Sequence, residues 1–260
     1  MLFGLLLLGC GAPAPPAEAP PPAPSPVEPG RAVQCPAEPR ALAASWVAPD
    51  GPGPFPTAVV LVGARPWNRW GDQPDAPWGH YRDIAQALVA SGAAVLVFDK
   101  GGTGQTGGPP VDEPARVAEA HAAVACALAQ PGADPARMTL LGHSQGSTVA
   151  TLAAIQGAPI QGLVLLSPVV AVDPLAALPD GLSLTLVRGE LDGVDADDKR
   201  LQVLGARGLQ ARHAVIPKSD HLLLDASRRV PDPADPATAV HPAALRVIAD
   251  AVTSLARSDP

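Results

Sequence analysis

The chain has 260 residues, 47% of them hydrophobic, and a formal net charge of −7, which is enough apolar material for one α/β domain with a full core. No cluster of Lys and Arg interrupts the acidic balance. That excludes a nucleic-acid partner, because such proteins need a basic surface to neutralise phosphates.

Residues 1–9, MLFGLLLLG, are apolar and end at Cys10. The run is too short to span a bilayer as a helix and fits the hydrophobic region of an export signal. Leu7-Leu8-Gly9-Cys10 resembles a bacterial lipobox, which implies cleavage before Cys10 and diacylation of its thiol. Residues 10–39 are dense in proline and alanine, a composition that cannot build a core and reads as an extended, polyproline-like linker. The expected organisation is a lipoprotein signal peptide over 1–9, a tether over 10–39 and a folded domain over 40–260. Such a protein is exported and held on a membrane of the bacterial cell envelope by its lipid. Cys35 and Cys126 remain as a pair in an oxidising compartment. They either close a disulfide between the end of the linker and a helix, or stay as two thiols; neither spacing suggests zinc.

Beyond the linker, short β-type runs alternate with amphipathic stretches. Residues 41–47 and 57–62 read as strands. Residues 78–91 have helical spacing with Gly92 as C-cap, and 93–98 form a short buried strand. Residues 113–130 form an alanine-rich helix with Asp112 as N-cap. A strand over 138–141 and a helix over 144–156 follow. Strands over 161–166, 182–188 and 211–216 come next, with a helix over 197–206 before the last of them. A helix over 242–256 closes the chain. Continuously apolar strands alternating with helices predict a single doubly wound, mostly parallel sheet covered on both faces.

Gly142-His143-Ser144-Gln145-Gly146 joins the strand at 138–141 to the helix behind it. Glycines two before and two after a serine suit a sharp strand-to-helix turn that projects the hydroxyl. A serine hydroxyl is a poor nucleophile until a base removes its proton. His143 is expected to point away from its neighbour, His80 and His121 fall on helices, His213 lies inside a strand and His241 opens the last helix. His221 sits just past the last strand, at the carboxyl edge of the sheet where ligands bind, and is the candidate base. Asp192, after the strand at 182–188, is the candidate acid that orients it, with Glu190, Asp195 and Asp197 as rivals. The order Ser144, Asp192, His221 matches that of α/β-hydrolases. The backbone N–H groups of Gln145 and Ala64 are the candidate oxyanion donors.

The chain resembles the α/β-hydrolases, and among them bacterial esterases of the serine-aminopeptidase-like group. That group carries a GSGPxDRDG-type loop, a DKRGxGxS turn, a GHSxG elbow, a GExD acid and a DH base. The matching segments are 63–72, 99–106, 142–146, 189–193 and 220–221. The resemblance implies hydrolysis of small-molecule carboxylic esters through an acyl-enzyme, with no metal or organic cofactor. Peptidase or thioesterase activity, or a non-catalytic lipid-anchored binding module, are the alternatives. Gly101 departs from the pattern, standing where the group has arginine, so the ion pair made there is absent or replaced. Residues 167–182 leave no room for the helical cap that many relatives insert. An open site is expected, roofed by the 64–80 loop with Trp67, Trp70 and Trp78 as a substrate wall.

Overall fold

The computed structural model describes residues 29–73, 76–193, 197–226 and 240–255. Cys10 and the signal region therefore lie outside the described residues, as does the rival acid Asp195.

The central element is an eight-stranded sheet of β1 (Arg31–Cys35), β2 (Leu42–Val47), β3 (Phe55–Leu61), β6 (Ala94–Phe98), β7 (Ala133–His143), β8 (Gly162–Leu166), β9 (Ser183–Gly189) and β10 (Ala211–Ile216). The spatial order is β1-β2-β6-β3-β7-β8-β9-β10. β2 runs antiparallel to both of its neighbours, and every pairing from β6 to β10 is parallel. A small hairpin of β4 (Asp72–Gln73) and β5 (Ala76–Pro77) stands apart.

Successive side chains of a strand point to opposite faces, and here both faces are buried. Val59, Leu61, Leu96, Leu140, Leu163 and Leu165 pack on one side, with α2 (Glu113–Leu128) and α3 (Gln145–Ile155). Ala58, Val60, Val95, Val97, Leu141, Val164 and Leu166 pack on the other, with α1 (His80–Ala90) and α6 (Pro242–Thr253). Two cores are why the central strands read as unbroken apolar runs rather than alternating ones. α2 starts where expected: the Asp112 carboxylate accepts the Ala115 N–H at 3.0 Å, with Pro114 tolerated in the first turn.

Between β8 and β9 stands only α4, the single turn Val172–Leu175, so among the described residues no cap inserted there covers the carboxyl edge. α5 (Asp197–Ala206) links β9 to β10. The N-terminal boundary differs from the sequence expectation. Arg31–Cys35, assigned above to the linker, pairs with β2 along its whole length. Val33 packs against the core and Cys35 is fully buried, whereas the flanking prolines masked this one-sided edge strand in the sequence.

Cys35 and Cys126 are joined as a disulfide, with Cα atoms 5.4 Å apart and a sequence separation of 91. The bond fixes edge strand β1 to α2. Replacing both cysteines by serine is expected to lower the unfolding free energy by about 2–5 kcal/mol, the upper part of that range being what a loop of this length implies. Urea denaturation with and without reductant checks it; a wild-type curve insensitive to reductant would show that the link contributes nothing.

Candidate active site

β7 ends at His143, and the chain turns into α3 through Ser144, whose φ of 52° and ψ of −122° lie outside the ordinary wells. Such a conformation persists only where the surroundings over-determine it. A Cβ on Gly142 would strike the backbone of Gly146, and one on Gly146 would strike the Leu61 carbonyl on β3. The Ser144 N–H is held by Leu166 O at 2.9 Å, and its carbonyl accepts from Ser147 N–H at 2.9 Å and from Ser147 Oγ at 2.6 Å. The hydroxyl is left projecting from the carboxyl edge of the sheet.

His221 arrives from the loop after β10. Its Nε2 lies 2.9 Å from Ser144 Oγ, and its Nδ1 lies 3.0 Å from both Oδ1 and Oδ2 of Asp192. A carboxylate can only accept, so Nδ1 carries the proton and Nε2 offers its lone pair to the serine hydroxyl. Asp192 comes from the turn after β9 and is nearly inaccessible. The Asp220 carboxylate accepts the N–H groups of Leu222 and Leu224 and so shapes the turn that presents His221.

The rival acids have other partners. Glu190 accepts the Lys218 N–H. Asp197 binds Arg188, Arg200 and His213, which cross-links the end of β9 to the start of α5 and β10. His241 caps α6 through its Nδ1. His80 is buried among Trp67, Tyr81 and His143. His143 does point away from Ser144, but towards the other parts of the site: it meets Tyr81 Oη at 2.8 Å and the His221 carbonyl at 2.9 Å.

The loop after β3 carries Ala64 and is held from the turn after β6. The Lys100 ammonium donates to the carbonyls of Gly63, Ala64 and Arg65 at 2.5, 3.0 and 2.8 Å. Asp99 accepts from the Arg69 backbone N–H and from its guanidinium, each at 2.6 Å. With its carbonyls turned to Lys100, the loop is aligned beside Gln145 at the start of α3. Burial, and then Arg116, bring Lys100 down to about 7, with Glu119 opposing.

At Gly101 the Glu119 carboxylate accepts the backbone N–H at 2.9 Å. A cation does come near: Arg116 on α2 donates to Gln145 Oε1 at 2.6 Å and to Val62 O at 2.7 Å. The guanidinium thus bridges β3 and the elbow from a helix, which no motif spacing announced. Ala64, Gln145, Lys100, Arg116, Pro66 and Val111 are among the residues lining a cleft of about 240 Å³ at the start of α3.

Trp67 and Trp70 do not form the expected wall. Trp67 and Trp70 are 4% and 1% exposed and belong to the core with α1 and α6, and Trp78 packs against that core. Large rings in an uncapped loop are driven under it, because that removes their apolar area from water. Among the described residues no group of three or more His, Cys, Asp or Glu is placed to hold a metal ion.

Residues 77–190 match the serine aminopeptidase S33 family. No curated protein matches the chain in sequence. Among solved structures, the dienelactone hydrolase of Anabaena variabilis is 19% identical, with 86% of this chain and 95% of that one covered at a TM-score of 0.59. Est1E of Butyrivibrio proteoclasticus, solved with ferulic acid, is 16% identical over 85% and 96%, at 0.60. Dipeptidyl peptidase 4 of Porphyromonas gingivalis is 17% identical at 0.58; 74% of this chain is covered, spanning 32% of that much longer one.

Burial lowers His143 to about 4, from an ordinary 6.5, and lowers His80 well below its usual value. Unfolding lets both rings charge, so stability is fully present above pH 6.5 and is lost as the pH falls through that window. For His143 the shift corresponds to something on the order of 3 kcal/mol. Thermal melts from pH 7 to pH 4 are expected to show a shallower acid loss in His143→Gln than in the wild type; parallel curves would exclude a buried neutral ring.

Proposed function

We propose that the chain, which has the fold of the α/β-hydrolases it resembles and a segment that matches the serine aminopeptidase S33 family, hydrolyses carboxylic esters of small or medium acyl groups through an acyl-enzyme on Ser144. The observation that carries this reading is the continuous line Asp192–His221–Ser144, closed at 3.0 and 2.9 Å. As Ser144 Oγ bonds to the ester carbonyl carbon, His221 Nε2 takes the hydroxyl proton, and the buried Asp192 carboxylate stabilises the imidazolium. The carbonyl oxygen becomes an alkoxide, which accepts hydrogen bonds from the N–H groups of Gln145 and Ala64. Collapse of the tetrahedral intermediate breaks the bond to the leaving alcohol, which takes the proton from His221. A water then repeats the sequence on the acyl-enzyme and releases the acid.

The uncapped edge and the small cleft beside Gln145 favour short acyl groups. A fluorophosphonate probe is expected to label the wild type and not Ser144→Ala. p-Nitrophenyl acetate and butyrate are expected to turn over, with kcat in Ser144→Ala or His221→Ala lower by about 10⁴-fold or more. Turnover restricted to long acyl chains or aminoacyl amides would overturn the small-ester reading, and an unlabelled wild type would favour a binding module.

We further propose that the domain is exported and tethered to an envelope membrane through Cys10. The disulfide between Cys35 and Cys126 supports an oxidising compartment. Metabolic labelling with palmitate is expected to mark the wild type and to vanish in Cys10→Ser; label retained in that variant would place any acylation elsewhere.

A further inference from the structure

Behind the triad, Tyr81 of α1 and His143 of β7 form a buried chain of hydrogen bonds. Gly63 N lies 2.9 Å from Tyr81 Oη, Tyr81 Oη 2.8 Å from His143 Nδ1, and His143 Nε2 2.9 Å from the backbone oxygen of His221. Tyr81 and His143 are 0% and 2% exposed, so water does not compete for these atoms. Its two ends are functional loops: Gly63 precedes the oxyanion candidate Ala64, and the far carbonyl belongs to the base itself.

The direction of the chain follows from which atoms hold protons. A backbone carbonyl has none, so His143 Nε2 must carry one and donate it to His221 O. Burial keeps the ring neutral at ordinary pH, so Nδ1 holds a lone pair and must accept from the Tyr81 hydroxyl. With that proton committed to His143, the Tyr81 oxygen is free to accept the Gly63 N–H. Each link is thereby fixed by the next, and reversing any one leaves a buried donor facing a donor or an acceptor facing an acceptor. The rings also pack against the site, with the His143 centroid 5.7 Å from that of Tyr81 and 5.3 Å from that of His221.

We propose that Tyr81 and His143 are positioning residues for acyl transfer, setting the separation between the oxyanion-binding loop and the His221 loop. They touch no reacting atom. Their effect is that the donors for the developing alkoxide and the base on the other side of the serine hydroxyl keep one fixed relation. The role rests on the hydrolase reading of Ser144.

Four variants test it: Tyr81→Phe, His143→Leu, His143→Gln and the double Tyr81→Phe/His143→Leu. The carboxamide of His143→Gln can still accept from Tyr81 and donate to His221 O, whereas leucine can do neither. Misplacing two halves of a site by a fraction of an ångström lowers turnover more than binding, so Tyr81→Phe and His143→Leu are each expected to lower kcat by roughly 10- to 100-fold with KM nearly unchanged. The double variant should cost no more than the worse single one, because a chain is broken once. His143→Gln should recover most of the loss. Glutamine no better than leucine, multiplicative losses, or a change confined to KM would each overturn the proposal. Independently of turnover, ¹⁵N NMR of the wild-type imidazoles is expected to show His143 neutral at pH 7 with its proton on Nε2. A charged ring or an Nδ1 proton overturns the chain itself. A wild type that shows the expected ring but neither hydrolyses esters nor labels at Ser144 overturns the acyl-transfer reading, and the positioning role with it.

Discussion

The contact on which the site depends is between two backbones. α3 can start directly behind β7 only if Gly146 lies against the carbonyls of Leu61 and Val62 with no side chain between them. That approach forces the intervening turn to be tight and gives Ser144 its unusual torsions. The hydrogen bonds from Ser144 N to Leu166 O and from Ser147 to Ser144 O then prevent relaxation. Projection of the hydroxyl is thus a by-product of close helix-to-sheet packing. The same packing sets the first amides of α3 directly behind Ser144, where the proposed hydrolysis would need its oxyanion donors.

Around this turn the fold uses buried charge to shape loops. Arg69 and Asp99 are almost fully shielded, and an isolated pair in that position would recover little of its desolvation cost. Asp99 also receives the backbone N–H groups of Arg69 and Gln105, so the pair specifies a backbone path as well as balancing charge. Lys100, the next residue, does the complementary task by gathering three carbonyls. One dipeptide at the end of β6 therefore holds both the donors and the acceptors of the neighbouring loop. The parallel register from β3 to β10 brings all of these strand ends to a common edge.

Much of this was legible in the sequence because it is local. The elbow glycines, the Asp112 cap and the apolar strand runs each state their conformation within a few residues. Ser144, Asp192 and His221 could be chosen because each follows a strand at the same edge, which reduces a three-dimensional question to chain order. What escaped were features that depend on an unseen partner. β1 is one-sided and embedded among prolines, so only its pairing with β2 identifies it. Trp67 and Trp70 had a destination that loop composition does not reveal, since the core under them is assembled from α1 and α6. Arg116 reads as an ordinary helix cation until the turn of α2 aims it at Gln145. His143 points away from Ser144, as its place in the elbow implies, but the partners it reaches, Tyr81 and a backbone carbonyl of a loop 78 residues further on, leave no local trace.

The cross-link at the edge of the sheet has a mechanical corollary. Cys35 is the last residue of β1, so a pull applied at the N-terminal end would unzip β1 from Arg31 onwards and arrest at the sulfur bridge. Beyond that point the load would be shared between α2, through Cys126, and the backbone that leads on to β2. The outermost strand can thus serve as a sacrificial zipper, absorbing strain while the strand ends that carry Ser144, Asp192 and His221, from β7 to the opposite edge at β10, are left undisturbed.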